Sequence, residues 1–328
     1  MINSKTKIGA FVVPTGIGAS IGGYAGDAGA YARNFARYTK LIVNPNVVNA
    51  GGFSAITENM LYTEGYALDM FFKNEINLIP SVNNRIGIIY DRAIPQEILN
   101  VHINTHNAVK VVYGIDIFGY EITEEEVGVE FFVDESGIST GSVRNIDTLG
   151  KSCEKLLANG CNAIAIVCLF EDAETDNPEY SNGVGVDPVG GVEAILSHYI
   201  SKYYSVPCAH SPAFRSCEIE TELVNPKSAS EYITPTFLPC ILLGLSQAPQ
   251  LTRNKTTGIN VKDIDFLVMP YNSLGSVPVF ECIKNNIAVY AVRENSTILH
   301  VDAKSLGLRD KVIEVSTYAE CLDRILKS

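Results

Sequence analysis

The sequence is poor in positive charge. Its 328 residues include 25 lysines and arginines against 37 aspartates and glutamates, which gives a net charge of −12. Nucleic acids and anionic membrane surfaces attract proteins through clustered basic side chains. We therefore expect neither a nucleic-acid partner nor a membrane partner.

Cysteine is absent from the first 150 residues, and none of the eight cysteines forms a Cys-x-x-Cys pair. No histidine stands at a zinc-finger spacing from them. Several lie inside apolar runs, where a thiol behaves as a small hydrophobic group. We predict reduced, mostly structural cysteines and no metal site.

Long apolar runs are also missing. The longest one outside the N-terminal region, Phe237–Leu245, contains Pro239 and is too short to span a bilayer. Lys5 and Lys7 precede a small, apolar stretch that imitates a signal peptide, but Pro14 and the glycines after it would break the short helix of a signal core. We predict a cytoplasmic location.

Short apolar runs, typical of buried strands, alternate along the chain with segments whose apolar residues have helical spacing. Such alternation predicts an α/β fold with mainly parallel sheets and helices on both faces, Rossmann-like in outline. The predicted strands cover residues 8–13, 40–44, 85–91, 162–168, 265–269, 287–292 and 311–315, with another short strand beginning at Val206.

The pattern changes in the middle of the chain. Two apolar runs within residues 116–133 flank Glu124–Glu126 and predict an antiparallel edge hairpin, which a polar linker to Asn145 follows. This linker is the best candidate boundary between two lobes, residues 1–145 and 146–328. Residues 58–72 have helical spacing, and residues 171–185 form a long polar loop.

The most distinctive stretch is Pro14–Gly29, which we call the glycine loop. It follows the first predicted strand and contains six glycines, the last of which is Gly29. Gly16 and Gly18 begin a dinucleotide fingerprint, but Ile21 interrupts it, and no acidic ribose ligand ends the second strand. Tyr24 stands where a triphosphate-binding loop has lysine. We predict no nicotinamide, flavin or other cofactor.

Two interpretations of the glycine loop remain. Its amides, near a helix N-terminus, could hold a carboxylate or phosphate group of a ligand. Alternatively, the loop is a tight crossover whose glycines allow close backbone packing. Asp27 would repel an anion, and it suits a helix cap or a ligand to a hydroxyl or amine.

Polar loops follow most of the predicted strands. In parallel sheets these loops meet at the carboxyl edge, where ligands bind. The candidate ligand-binding residues in them are Thr15, Gly16, Gly18, Ser20, Gly22, Gly23, Asp27, Asn46, Asn49, Gly190, Gly191, Asn272, Ser273, Glu294 and Asn295.

Four residues are candidates for proton transfer. His210 follows a short strand between two prolines, and histidine titrates near neutral pH. Asp187 caps a predicted helix or acts as a base. Cys168 and Cys208 follow strands, as the paired cysteines of amino-acid racemases do, although their flanking residues do not match that family. Structural roles remain open for all four.

Several motifs together resemble an uncharacterised bacterial family, the domain of unknown function 3326 family. The resemblance extends over nearly the whole chain and implies one full-length unit, but it implies no reaction. The motifs that carry it are Val13–Ala28, Asn46–Ala50, Gly185–Gly191, Ala209–Ala213, Thr236–Cys240 and Ala291–Asn295.

Two functional hypotheses follow. The first is an enzyme that performs acid–base chemistry of the isomerase, racemase, lyase or hydrolase kind on a small metabolite bearing a carboxylate or phosphate. The second is a non-catalytic metabolite sensor or carrier with the same pocket between the lobes. The expected partner is a small molecule, and a homo-oligomer stays open.

Overall fold

The structure is a computed structural model that describes residues 6–170 and 179–328. The strands are β1 (Ile8–Phe11), β2 (Lys40–Val43), β3 (Asn49–Ala50), β4 (Phe53–Ser54), β5 (Met60–Tyr62), β6 (Asn77–Ile79), β7 (Ile86–Tyr90), β8 (Ile117–Ile122), β9 (Val129–Val133), β10 (Ser139–Val143), β11 (Ala163–Leu169), β12 (Cys208–Ala213), β13 (Gln250–Thr252), β14 (Phe266–Pro270), β15 (Ala288–Val292) and β16 (Val312–Val315).

The α-helices are α1 (Gly29–Ala36), α2 (Pro45–Val48), α3 (Gly65–Phe72), α4 (Gln96–Tyr113), α5 (Asp147–Ala158), α6 (Gly190–Tyr204), α7 (Ala229–Tyr232), α8 (Leu238–Ser246), α9 (Val277–Lys284) and α10 (Tyr318–Lys327). Among the helices of the described residues, none combines the length and the apolarity that a bilayer crossing requires.

The larger sheet has six strands in the order β16-β15-β14-β1-β2-β5, and all neighbouring strands are parallel. Helices α1 and α10 cover one face, where Phe35 and Tyr318 pack on Phe11. Helices α3 and α9 cover the other face. Parallel sheets are normally buried on both faces, and their strands are therefore continuous apolar runs rather than alternating ones.

The smaller sheet has four parallel strands in the order β12-β11-β7-β8. Helices α5 and α6 pack on one face, and α4 and α8 pack on the other. One apolar cluster contains residues of both sheets and of α8, so the two sheets share part of their core. The predicted α/β class, with mainly parallel sheets and helices on both faces, is confirmed.

The predicted edge hairpin lies elsewhere. Strand β8 is parallel to β7 and extends the smaller sheet, whereas β9 pairs antiparallel with β10. Residues 139–143 were predicted as part of a polar linker because Ser-Thr-Gly-Ser-Val lacks the alternation of apolar side chains that marks a strand.

The other error concerns residues 58–72. The helical spacing is real only from Gly65 onward, because Met60–Tyr62 forms the edge strand β5. The Glu64 carboxylate begins α3 by accepting hydrogen bonds from the amides of Tyr66 and Ala67, at 2.9 and 2.6 Å. An N-cap of this kind is more often Ser, Thr, Asp or Asn.

The strands of the larger sheet come from both ends of the chain, and those of the smaller sheet come from its middle. The larger sheet takes three strands from residues 8–62 and three from residues 266–315, while the smaller sheet takes its strands from residues 86–213. Most of the polar loop at residues 171–185 lies outside the described residues.

Candidate functional site

A cavity of about 1240 Å³ lies where the carboxyl ends of the larger sheet meet the β12 edge of the smaller one. The larger sheet contributes residues that follow β1, β2, β5 and β14. The first turns of α6, strand β12 and the segment 214–221 form the opposite side, and residues 231–237 complete the wall. Ligand pockets usually measure about 300–1,000 Å³, so this cavity has more than enough space for a small organic molecule.

Eight of the predicted site residues line this cavity together. They come from the glycine loop, from α2 and β3, from the start of α6 and the loop before it, and from β12, as expected if the carboxyl edge of the sheet forms the site. They are Thr15, Gly23, Asn46, Asn49, Asp187, Gly190, Gly191 and His210.

The other predicted ligand-binding residues do not line the cavity. They lie within the glycine loop or in the loops after β14 and β15, where their polar groups contact other parts of the protein. They are Gly16, Gly18, Ser20, Gly22, Asp27, Asn272, Ser273, Glu294 and Asn295.

Asparagine side chains hold the glycine loop. The Asn295 side chain accepts from the Ile21 amide at 3.0 Å and donates to the Ile21 carbonyl at 2.7 Å. Asn46 donates to the carbonyl of Gly22 at 2.7 Å. A Cβ atom at Gly23 would lie 2.2 Å from the carbonyl oxygen of Ala19, so this turn needs glycine for its close packing.

Several amides of the glycine loop already have acceptors within the protein. Ser20 donates to the carbonyl of Ser296, and Gly22 donates to the Asp27 carboxylate at 2.5 Å. The amide of Ala25 donates to Glu231 at 2.6 Å. The structure therefore favours the tight crossover over the anion cradle for this part of the loop.

Asp27 does not cap α1, whose N-cap position is Ala28. Burial raises the pKa of Asp27 to about 6, although the Gly22 amide opposes this shift. Its Oδ2 atom is buried without a hydrogen-bond partner in the part of the chain that the structure describes.

The two candidate cysteines lie outside the cavity. Cys168 and Cys208 are buried in the apolar core of the smaller sheet. Strands β11 and β12 are adjacent, and Cys208 is level with Ile164, four residues before Cys168. Burial raises the pKa of both thiols well above the usual value. The thiols do not face each other across a substrate site.

His210 does face the cavity, and a neighbouring serine orients it. The Nδ1 atom lies 2.9 Å from Oγ of Ser197, whose hydroxyl also lies 3.2 Å from the carbonyl of Ala194. If the Ser197 hydroxyl donates to that carbonyl, Nδ1 carries the proton, and Nε2 is left as a proton acceptor. Burial lowers the pKa of His210 to about 3, so the ring is neutral at pH 7.

Glu193 lies one helical turn before Ser197 on α6 and also lines the cavity. Its side chain is buried, and within the described part of the chain its Oε1 atom has no hydrogen-bond partner. Burial, followed by the charges of Asp187 and Glu231, raises the pKa of Glu193 well above the usual value. Sequence reasoning missed this residue.

Two further carboxylates of the cavity wall also have structural roles. Asp187 uses Oδ1 to accept from the amides of Val189 and Gly190, at the start of α6. Glu231 uses Oε1 to accept from the Ala25 amide and from the Tyr180 hydroxyl at 3.1 Å. Burial, and then the charge of Asp187, raises the pKa of Glu231 to about 8.

Glu64 forms another acidic part of the wall. Besides capping α3, its Oε2 atom lies 3.4 Å from Nε2 of His198 on α6. A Cβ atom at Gly65 would lie 2.7 Å from the same Nε2, so glycine is required for this approach. Burial raises the pKa of Glu64 to about 7, although the hydrogen bonds from the Tyr66 and Ala67 amides act to lower it.

Among the described lining residues, the charged side chains of the cavity wall are acidic. Acidic side chains from α6, from α7 and from the loop after β5 line it, and none of the described lining residues is lysine or arginine. The described residues contain no group of three or more His, Cys, Asp or Glu side chains arranged to hold a metal ion.

Two histidines that the sequence places on one helical face lie behind the wall. Nδ1 of His102 is 2.8 Å from Oγ1 of Thr236, and Nδ1 of His106 is 3.0 Å from the Tyr90 hydroxyl. Thr236 lines the cavity, so His102 supports its wall from behind.

The residues that sequence reasoning missed had weak signals. Glu193, Ser197 and Ser201 recur every four residues on α6, and all three are buried, which makes a polar stripe on the packed side of a helix. Glu64 was hidden because β5 was predicted as helix.

The chain has an α/β fold with two parallel sheets, and a cavity lined by several acidic side chains lies between them. The chain belongs to the family described as protein of unknown function (DUF3326), whose model matches residues 9–327. An uncharacterized lipoprotein from Synechococcus sp. is 36% identical over 303 residues, which cover 90% of this chain and 84% of that protein. No solved structure matches the chain significantly.

The different roles of two buried glutamates are testable. We expect Glu64→Ala to lower the free energy of unfolding by about 1 kcal/mol or more, because two helix amides lose their acceptor. Glu193→Ala should leave the stability unchanged or raise it, since it removes a buried oxygen without a partner. Urea unfolding measures both. Equal destabilisation by the two substitutions would contradict the assignment.

The raised carboxyl pKa values predict how stability depends on pH. Glu64 and Glu231 bind protons more tightly in the folded than in the unfolded protein, so stability should fall as the pH rises through about 7 and 8. The buried His102 and His210, with lowered pKa values, have the opposite effect below about pH 6.5.

The window from about pH 6.5 to 8.5 therefore isolates the carboxyl groups. We expect the melting temperature of the wild-type protein to decrease across it, and Glu231→Gln to make the decrease smaller. Glu218→Gln, which changes an exposed residue at the cavity rim, serves as the control. Parallel curves for wild type and Glu231→Gln would contradict the pKa assignment.

Proposed function

We propose that the chain is an enzyme that performs acid–base chemistry on a small metabolite bound in the cavity between the two sheets. The observation that carries this proposal is the pairing, on one cavity wall, of an oriented neutral histidine with a buried carboxyl group that has an unbonded oxygen. These are His210 and Glu193. Both residue types commonly act as general acids or bases.

The proposed roles follow from the contacts. His210 accepts a proton at Nε2, because Ser197 occupies the Nδ1 side of the ring. Glu193 returns a proton or holds the group that receives it, because it lines the same cavity and its Oε1 atom has no hydrogen-bond partner among the described residues. Ser197 acts as a positioning residue. Reactions of the isomerase, racemase or lyase kind need such a pair of groups.

The ligand in this proposal differs from the one that the sequence favoured. A carboxylate or phosphate group would find no lysine or arginine among the described residues of the wall, and several loop amides already have acceptors. We therefore leave the anionic group out of the proposal.

His210→Ala is expected to abolish turnover without unfolding the protein. Wild type and variant would be incubated with a bacterial metabolite extract, and untargeted mass spectrometry would identify the compounds that only the wild-type protein changes. We expect Ser197→Ala to reduce turnover about 10-fold or more through loss of ring orientation. His300→Asn, outside the cavity, is the control.

Two outcomes of this experiment are decisive, and a third calls for a second variant. Full turnover by His210→Ala would refute the assignment of the base. A compound that binds and stabilises the wild-type protein, yet is recovered unchanged, would favour the alternative of a metabolite sensor or carrier. Loss of turnover together with loss of the folded circular dichroism spectrum would require His210→Gln as the substitute variant.

The cytoplasmic location is also part of the proposal. The relative from Synechococcus is named a lipoprotein, which favours attachment to a membrane instead. We expect the full chain, expressed in a bacterial host, to stay in the supernatant after high-speed centrifugation of broken cells. Recovery in the membrane pellet, released by detergent but not by salt, would contradict the cytoplasmic location.

A further inference from the structure

Three carboxyl groups line one part of the cavity, those of Asp187, Glu193 and Glu231. They lie at the start of α6 and on α7, and the charges of neighbouring members add to burial in raising the pKa of Glu193 and of Glu231. Asp187 and Glu231 each use one oxygen for donors within the protein. Within the described chain, no hydrogen bond is made to their second oxygens.

Glu193 separates this arrangement from an ordinary acidic cluster. Its exposed fraction is only 7%, and its Oε1 atom is buried without a donor among the described residues. A buried carboxylate without a donor costs free energy, and natural structures rarely retain one without a function. A structural role as a first-turn acidic residue of α6 needs only the charge, and it does not explain a buried oxygen without a donor among the described residues.

We propose that the ligand of this cavity carries a protonated amine, and that Asp187, Glu193 and Glu231 bind it. An ammonium group offers three N–H donors and no acceptor, which complements carboxylate oxygens that lack donors. The inference rests on the proposed function only in taking the cavity as the substrate site. It adds the chemical class of the substrate.

An organic amine fits better than a metal ion. A calcium ion, for example, needs six to eight oxygen atoms that converge at about 2.3–2.6 Å, and the described residues provide no such cluster. The cavity of about 1240 Å³ also leaves space for the rest of an organic molecule. The neutral His210 lies in the same cavity, where it can reach a carbon or nitrogen atom of such a ligand.

The test uses three four-carbon probes that differ only in their end groups. These are butane-1,4-diamine, butane-1,4-diol and butanedioate, each titrated into the full-length protein at pH 8 by isothermal calorimetry. We expect the diamine to bind and the other two to bind at least 10-fold more weakly. Glu193→Gln should weaken diamine binding at least 10-fold, because a charge-assisted hydrogen bond is lost.

Two control variants make the result specific. Glu218→Gln removes one negative charge at the cavity rim and should change the dissociation constant of the diamine less than threefold. His300→Asn, which changes a residue outside the cavity, should leave diamine binding unchanged. Diamine binding without any turnover would leave the amine site standing and would refute the proposed enzyme.

Other outcomes overturn the inference. Preferred binding of butanedioate, or equal diamine binding by wild type and Glu193→Gln, would refute the amine site. If a neutral or anionic metabolite is turned over in a reaction that depends on His210, and the diamine does not bind, the amine site is refuted and the proposed enzyme stands. The last arm of the test is titration of MgCl₂, MnCl₂ and ZnCl₂. Metal binding that depends on Glu193, in the absence of amine binding, would replace the amine site with a metal site.

Discussion

Hydrogen bonds from asparagine side chains to the backbone fix the edge of the larger sheet. An amide side chain offers both a donor and an acceptor, so it can replace a neighbouring peptide group. Asn44 does this for both the amide and the carbonyl of Val13, at 3.1 and 2.8 Å. Asn272 does the same for Thr297, and Asn295 for Ile21. All three asparagines are buried, so loss of one leaves peptide groups without partners.

This constraint explains why the glycine loop is a wall rather than an open anion site. Its amides are directed into Asn295, Asp27 and Glu231, and only part of the loop reaches the cavity. The carboxylate of Glu231 therefore connects the fold to the site, because one of its oxygens holds Ala25 while the residue lines the cavity. A wall that is already fixed lowers the ordering cost that ligand binding would otherwise carry.

The sequence predicted those features that depend on local patterns. Continuous apolar runs identified most strands of the two sheets, and the proline before α4 marked its start. It also predicted that polar loops meet at one sheet edge, and His210 and Asp187 line the cavity at that edge. It did not identify Glu193, because a glutamate in the first turn of a helix is typical of any exposed helix. Its burial depends on the tertiary packing of α6, which contacts the hairpin β9–β10 and helix α3 from distant parts of the sequence.

The same limit explains why the sequence suggested an anionic ligand and the structure suggests a cationic one. Glycines and helix N-termini are visible in a sequence, and they favour anions. Which amides remain unbonded depends on side chains far along the chain, such as Glu231 for Ala25. The acidic groups of the wall come from several elements that only the fold brings together. Of these, Glu64, Asp187 and Glu231 bind backbone amides, so each has a structural reason to be buried. Glu193 has no such bond, and a cationic ligand would supply the missing donor.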